Sequence, residues 1–187
     1  MTVLRLNDYK RMPWKNGGGE TLEIAVSPPD APVGDFDWRI SMATVASDGP
    51  FSRFPGIERT LTVIDGDAIE LTVEGLPPVL LDQAAAPYSF PGDVQTSGRL
   101  RDGPIADLNV MVRRGLPHEV TRLDATELPR ATASSPTIFL VALEEVTIRY
   151  DGGDITLQRH DTLDLSAIGL ADIAATKSGA VLLITIG

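Results

Sequence analysis

The chain has 187 residues, 43% of them apolar, and a formal net charge of -10, enough for one domain or two small ones around a substantial core. It has no apolar run of membrane-spanning length, and its 26 acidic against 16 basic side chains disfavour nucleic-acid binding, because neutralising phosphates needs clustered Lys and Arg. There is no cysteine and there are only two histidines, His118 and His160, which excludes disulfides, thiolate nucleophiles, Cys-containing metal sites and a three-His centre within one chain.

Seventeen glycines and 14 prolines favour many short strands over long helices. The opening Met1-Thr2-Val3-Leu4-Arg5-Leu6 lacks the charged start and long apolar core of a signal peptide. With the absent cysteines this points to the cytoplasm. Next comes Met12-Pro13-Trp14-Lys15-Asn16-Gly17-Gly18-Gly19-Glu20-Thr21, a loop whose glycine amides can approach a ligand closely while Lys15 adds a positive charge. It is not a P-loop: the Lys precedes the glycines, no G-K-[ST] follows, and a strand over 21–26 stands where a helix is required. A plain flexible turn is the alternative, but a turn has no need of the Trp-Lys-Asn cluster.

Trp38–Val45 alternates as a strand, with Arg39 and Ser41 on the face opposite Trp38 and Met42. In the loop Asp48-Gly49-Pro50-Phe51-Ser52-Arg53-Phe54-Pro55-Gly56, Phe51 and Phe54 can pin the chain against a barrel mouth. Arg59 follows where the next strand begins; its guanidinium can clamp a carboxylate bidentately, or form an ordinary ion pair with Glu58 or a nearby Asp. Ala68–Val73 alternates as a further strand. After the turn Asp102-Gly103-Pro104, Asp107, Asn109, Met111 and Arg113 share one strand face and Leu108, Val110 and Val112 the other. In a plain sandwich that polar face meets water. In a barrel it points into a pocket, where Asn109 and Arg113 supply donors to an anion.

Pro117, Pro129 and several polar residues break the pattern over 115–133. Short β-rich segments return at Thr137–Ala142, Val146–Tyr150, 154–157, 162–165 and Ala180–Ile186, and single helical turns are expected only near 125–130 and 166–170. His118 and His160 are read as loop residues forming solvated ion pairs with Glu119 and Asp161. No Gly-x-Ser-x-Gly elbow occurs, and Asp35 with Asp37, and Asp65 with Asp67, read as turn formers rather than an acid–base pair.

Leu61-Thr62-Val63-Ile64 leads to Glu74-Gly75 and Pro91-Gly92-Asp93, much as Phe139-Leu140-Val141-Ala142 leads to Asp151-Gly152 and His160-Asp161, a recurrence of about 70 to 77 residues. It fits a duplicated barrel, or merely the strand-turn-strand habit of any β-protein. Residues 1–117 are expected to form an N-terminal barrel and 118–187 a C-terminal barrel half, with strands exchanged between them. Trp14, Trp38, most arginines and every Asn lie in the first part, so a site is expected there.

The Met12–Thr21 stretch, together with Phe36-Asp37-Trp38-Arg39-Ile40-Ser41-Met42-Ala43, Asp48-Gly49-Pro50-Phe51-Ser52, Phe54-Pro55-Gly56-Ile57-Glu58-Arg59 and Asp107-Leu108-Asn109-Val110-Met111, closely resembles the HutD/Ves family. The resemblance spans about residues 2–187 and is strong through Arg114. It implies an all-β, cupin-like double-stranded β-helix with two barrel halves in one chain, a bicupin, and a regulatory or ligand-sensing role in bacterial histidine utilisation. N-formylglutamate or formate is the implied ligand. Many cupins hold a metal through His and Glu; the first part here has no histidine, so neither that metal site nor a cofactor is expected.

Carried over residue by residue, the resemblance makes Arg59 the carboxylate clamp. Lys15, Asn16 and the amides of Gly17, Gly18 and Gly19 form the lid side, Ser41, Asn109, Met111 and Arg113 the wall, and Trp38 belongs to the core. No catalytic residue is assigned. The expected partner is a small anionic ligand, with no nucleic acid or membrane and with a homodimer possible. Two other classes stay open: a metal-free cupin isomerase or hydrolase with Lys15 or Asp107 as base, and a protein-interaction module using the C-terminal half.

Overall fold

Apolar–polar alternation punctuated by turn residues folds most of the chain into strands. The computed structural model describes residues 1–14, 19–129 and 137–187. The chain opens with β1 (Thr2–Leu4) and a 3-10 turn at Leu6–Asp8. There follow β2 (Lys10–Pro13), β3 (Gly19–Ser27), β4 (Trp38–Val45), β5 (Gly49–Pro50), β6 (Ile57–Asp65), β7 (Ala68–Val73), β8 (Val79–Asp82), β9 (Tyr88–Pro91), β10 (Thr96–Leu100) and β11 (Ile105–Arg113). The rest comprises β12 (His118–Asp124), a 3-10 turn at Ala125–Glu127, β13 (Thr137–Ala142), β14 (Val146–Tyr150), β15 (Gly153–Leu157), β16 (Thr162–Asp164), β17 (Ala174–Ala175) and β18 (Ala180–Ile186). Among the described residues no helix is long and apolar enough to cross a membrane.

Two units form, Lys10–Gly115, and Met1–Tyr9 together with Leu116–Gly187. In the first, a six-stranded sheet of order β2-β3-β4-β11-β6-β9 accompanies a four-stranded sheet of order β5-β10-β7-β8. Val45, Leu61, Val63, Ile105 and Phe90 of the larger sheet pack in one core with Ile69, Leu71, Val73 and Leu81 of the smaller. Each such side chain taken fully out of water contributes about 1.5–3 kcal/mol. Two register shifts mark the six-stranded sheet, one at Glu23/Ala25 between β3 and β4 and one at Ala106/Asp107 between β11 and β6. Such bulges bend a strand and re-aim its side chains. Gly66, with φ 83° between β6 and β7, has no room for a Cβ, which would fall 2.4 Å from the carbonyl oxygen of Pro104.

The second unit has a five-stranded sheet, β1-β16-β13-β18-β12, and a three-stranded one, β15-β14-β17. Its core is an apolar cluster that includes Ile138, Leu140, Leu163, Val181 and Leu183 with Val146, Ile148 and Leu157. β1 pairs with β16, from Thr2 opposite Asp164 to Leu4 opposite Thr162. Arg5 binds Asp161 at 2.6 Å, and the buried Tyr9 hydroxyl contacts the Thr162 hydroxyl and the His160 carbonyl, each at 2.8 Å. Burial pushes the Tyr9 phenol well above its ordinary range.

The two sheets repeat one plan. β4-β11-β6-β9 in the first unit corresponds in order to β12-β18-β13-β16 in the second, and the repeated segments 61–64 and 139–142 lie in β6 and β13. The all-β, two-halves-in-one-chain expectation holds. The break expected over 115–133 does not hold throughout, because His118–Asp124 is a strand paired residue for residue with β18. Its pattern is weak because most of its side chains are only half-buried; the apolar β18 beside it supplies the ladder. His118 therefore begins a strand rather than lying in a loop, and Asp161 is buried against Arg5 rather than solvated. Of the two helical turns expected, the first is the 3-10 turn at Ala125–Glu127, and the second is a hydrogen-bonded turn in which the Ile168 and Gly169 amides donate to the Leu165 carbonyl.

Candidate functional site: a buried Arg59–Asn109–Asp107 relay

β11 lies between β4 and β6, so each of its inward side chains has a neighbour on both sides. Asn109 is opposite Ser41 of β4 and Leu61 of β6, and Met111 is opposite Arg39 and Arg59. Farther out on the same sheet, Phe90 of β9 is opposite Arg59 and Glu23 of β3 is opposite Ser41. Alternation thus gathers two arginines, a glutamate, an aspartate, an asparagine and a serine onto one face, all of them buried.

Arg59 is only 5% exposed. Its Nη2 donates to Asn109 Oδ1 at 2.7 Å, and Asn109 Nδ2 donates in turn to Asp107 Oδ1. These two bonds orient the amide, oxygen toward the cation and nitrogen toward the carboxylate. The rings of Phe51, Phe54 and Phe90 surround the guanidinium, with centroids 5.1, 5.9 and 5.3 Å from Cζ, an arrangement that favours a cation where water is excluded. Gly92 closes in on the stem; a Cβ there would lie 3.2 Å from Arg59 Cγ and 2.9 Å from the Ile57 carbonyl oxygen. Burial lowers the Arg59 guanidinium to about 10, against the pull of Asp107. Burial likewise raises the Asp107 carboxyl to about 7, with Arg59 opposing.

Two polar atoms of the relay have no hydrogen-bond partner among the described residues, Arg59 Nε and Asp107 Oδ2. A buried donor or acceptor left open costs about 1–3 kcal/mol. Beside it, Arg39 Nε donates to Glu23 Oε2 at 2.7 Å, and Lys10 Nζ lies 3.8 Å from Glu23 Oε1. That pair is complete in itself.

The expected site residues divide in three. Arg59, Asn109, Ser41 and Met111 share the inner face, as strand alternation requires. Arg113, 54% exposed, is instead drawn to Asp37 at 3.1 Å and Asp35 at 3.3 Å. Lys15, Asn16, Gly17 and Gly18 lie outside the described residues, whereas Gly19 begins β3, where a Cβ would fall 2.0 Å from the Thr44 carbonyl oxygen. Arg59 forms no ion pair with Glu58, which is taken by Arg114 at 2.7 Å. Trp38 is half-buried and projects from the other face, beside Ile40 and Met42.

Sequence reasoning missed Phe90 and the Glu23–Arg39 pair. Glu23 carried a signal in principle, a charged residue inside an otherwise strand-like 21–26 segment. Phe54 also lines an open hollow of about 270 Å³ with Val33, Phe36, Arg53 and Ile57. A cupin metal centre does not fit here. Residues 10–115 contain no histidine, Glu23 is held by Arg39, and no cluster of three His, Cys, Asp or Glu side chains suited to a metal occurs among the described residues.

A family model described as HutD matches residues 6–183. The chain belongs to the HutD family. Over 113 residues it is 42% identical to an uncharacterized 21.2 kDa protein in the hutC 3′ region of Pseudomonas putida, covering 59% of this chain and 57% of the relative. Over 112 residues it is 40% identical to the protein Ves of Citrobacter koseri, covering 57% and 56%. The chain thus spans about half the length of the curated relatives it matches.

Two solved structures are similar over 99% of this chain and 97% of their own. One is a conserved protein of unknown function from Pseudomonas aeruginosa PAO1, at 32% identity and a TM-score of 0.85. The other is HutD from Pseudomonas fluorescens SBW25, described as a formate condition, at 34% identity and a TM-score of 0.74. At the level of fold alone, a cupin 2 conserved barrel domain protein from Leptotrichia buccalis matches with a TM-score of 0.58 at 13% identity, covering 95% of this chain and 96% of that one. The fold is cupin-like.

Proposed function

We propose that this HutD-family chain is a non-catalytic binder of a small carboxylate that regulates histidine utilisation, with N-formylglutamate or formate as its ligand. The observation that carries this is the state of Arg59. It is a buried cation whose direct side-chain hydrogen bond goes to a neutral amide, with Nε still open and three aromatic rings keeping water away. A carboxylate oxygen at Nε supplies the missing acceptor in a charge-assisted bond. Asn109 fixes the guanidinium plane, and Ser41 lies opposite Asn109 in the sheet. The position of the P. putida relative in the hutC 3′ region and the likeness to HutD of P. fluorescens support the histidine-utilisation context. The cysteine-free composition supports a cytoplasmic location.

Calorimetry with formate, N-formylglutamate and urocanate tests the proposal. Binding is expected at millimolar concentration or below, and Arg59→Ala abolishes it. Absence of binding at millimolar ligand, or wild-type affinity in Arg59→Ala, overturns it. A second reading, a metal-free isomerase or hydrolase on a similar acid, is favoured by one observation, the open Asp107 Oδ2, which is placed to act as a base. Recovery of unchanged ligand after long incubation with the protein removes that reading.

A further inference from the structure

Asp107 sits on the central strand with no exposure to solvent, one oxygen bonded and one open. The bulge at Ala106/Asp107 sets its place against β6. Among the described residues few charged or titratable groups face it. From the six-stranded sheet they are Arg59 on β6, Arg39 on β4, Glu23 on β3 and, at its exposed edge, Lys10 on β2 opposite Glu23, with the Tyr88 phenol opposite Leu61 on β9. From the four-stranded sheet the packed residues are Ile69, Leu71, Val73 and Leu81, none ionisable. The loop after β5 brings Phe51, Ser52 and Phe54, while its Arg53 is exposed and bonds Gln95. Arg39 and Glu23 neutralise each other at 2.7 Å. Among the described residues the charge around the open carboxyl is therefore set by Arg59 and Asp107, a balanced pair when Asp107 is ionised and one positive charge when it is protonated.

We infer that a small monoanion bound at Arg59 is taken up together with a proton, which goes to Asp107 Oδ2. This rests on the reading of Arg59 as the carboxylate site. Without the proton, the anion places a second negative charge beside a buried carboxylate that shares the same cation through Asn109. Like charges in a water-poor site repel strongly, and the pair relieves the repulsion by binding a proton. With the proton, Oδ2 becomes an O–H donor, and Arg59 and the anion form a neutral pair. Asn109 keeps its orientation in both states, since Oδ1 accepts its N–H throughout. Burial has already raised the Asp107 carboxyl to about 7, and a second negative charge beside it raises it further.

Titrating the full chain with sodium formate between pH 6 and 8.5, in buffers of different ionisation enthalpy, tests this. Formate carries one charge across that range. At pH 8 the heat is expected to report uptake approaching one proton per formate bound. The dissociation constant is expected to rise up to tenfold per pH unit above 7. In Asp107→Asn, which keeps the shape and a neutral acceptor for Asn109, affinity becomes independent of pH and the buffer-dependent heat disappears. In ligand-free protein the Asn109 side-chain amide resonances should titrate near pH 7 and lose that transition in Asp107→Asn. Formate binding with buffer-independent heats and flat affinity overturns the coupling and leaves the carboxylate site standing. No formate binding even at pH 6 overturns both.

Discussion

Each unit buries one aspartate beside an arginine, and the two are treated differently. Asp161 accepts at Oδ1 from the Leu6 amide at 3.1 Å, and at Oδ2 from Arg5 at 2.6 Å and the Gln158 amide at 2.9 Å. Every oxygen is used, and the effect is to tie the N-terminal segment to its sheet. Asp107 reaches Arg59 only through Asn109 and leaves Oδ2 open. The central strands differ in the same way. β11 turns Asp107 and Asn109 inward, whereas β18, at the corresponding place between β12 and β13, contributes Val181 and Leu183 to an apolar core. A repeated strand plan thus carries a filled core in one unit and a polar, unsatisfied face in the other. A satisfied buried charge speaks for structure; an unsatisfied one calls for an explanation, which the proposed carboxylate at Arg59 would supply.

Three measurements sharpen or break this contrast. The largest effect is expected from Leu140→Ala in the apolar core, which should cost about 2–5 kcal/mol by urea denaturation. The cost should be equal at pH 5 and pH 8, because the buried side chains of its cluster are all aliphatic; a strong pH dependence breaks the contrast. Next is Asp107→Asn. In the folded chain this carboxyl titrates at about 7, against about 4 when unfolded. The folded state therefore holds the proton more tightly, and the stability this provides is complete below about pH 4 and gone above about 7. The variant lacks that slope, so its stability relative to wild type should rise between pH 4 and pH 7 by on the order of 4 kcal/mol. Parallel denaturation curves at pH 5 and pH 8 with a constant gap remove Asp107 from the titrating role. The smallest effect belongs to Phe54→Leu, which takes one of three rings from Arg59. Formate affinity should weaken about fivefold, matching about 1 kcal/mol for a cation–π contact, and unchanged calorimetry shows the ring to be mere packing.

Much of the site was legible because β-strand periodicity is a local rule. Once 105–113 is a strand, Asp107, Asn109 and Met111 must share a face, and once 38–45 is a strand, Arg39 and Ser41 must oppose Trp38 and Met42. Arg113 obeys the same alternation, but at the strand's end its long side chain reaches Asp35 and Asp37 from a sequence-distant loop. The strand at His118–Asp124 was hidden for the opposite reason. Its own residues are too polar to announce it, and only pairing with β18 makes it one.

Composition and alternation alone determined the all-β class, most strand positions, the absence of thiol chemistry and the polar inner face of β11, all of which depend on residue type and near neighbours. Tertiary structure decided which strands lie side by side, and hence that Arg59 meets Asn109 rather than Glu58, that Glu23 is spent on Arg39, and that Phe90 joins Phe51 and Phe54 around the guanidinium. Those choices turn on register between strands up to 50 residues apart, and register is set by the packing of whole sheets, which no local pattern encodes.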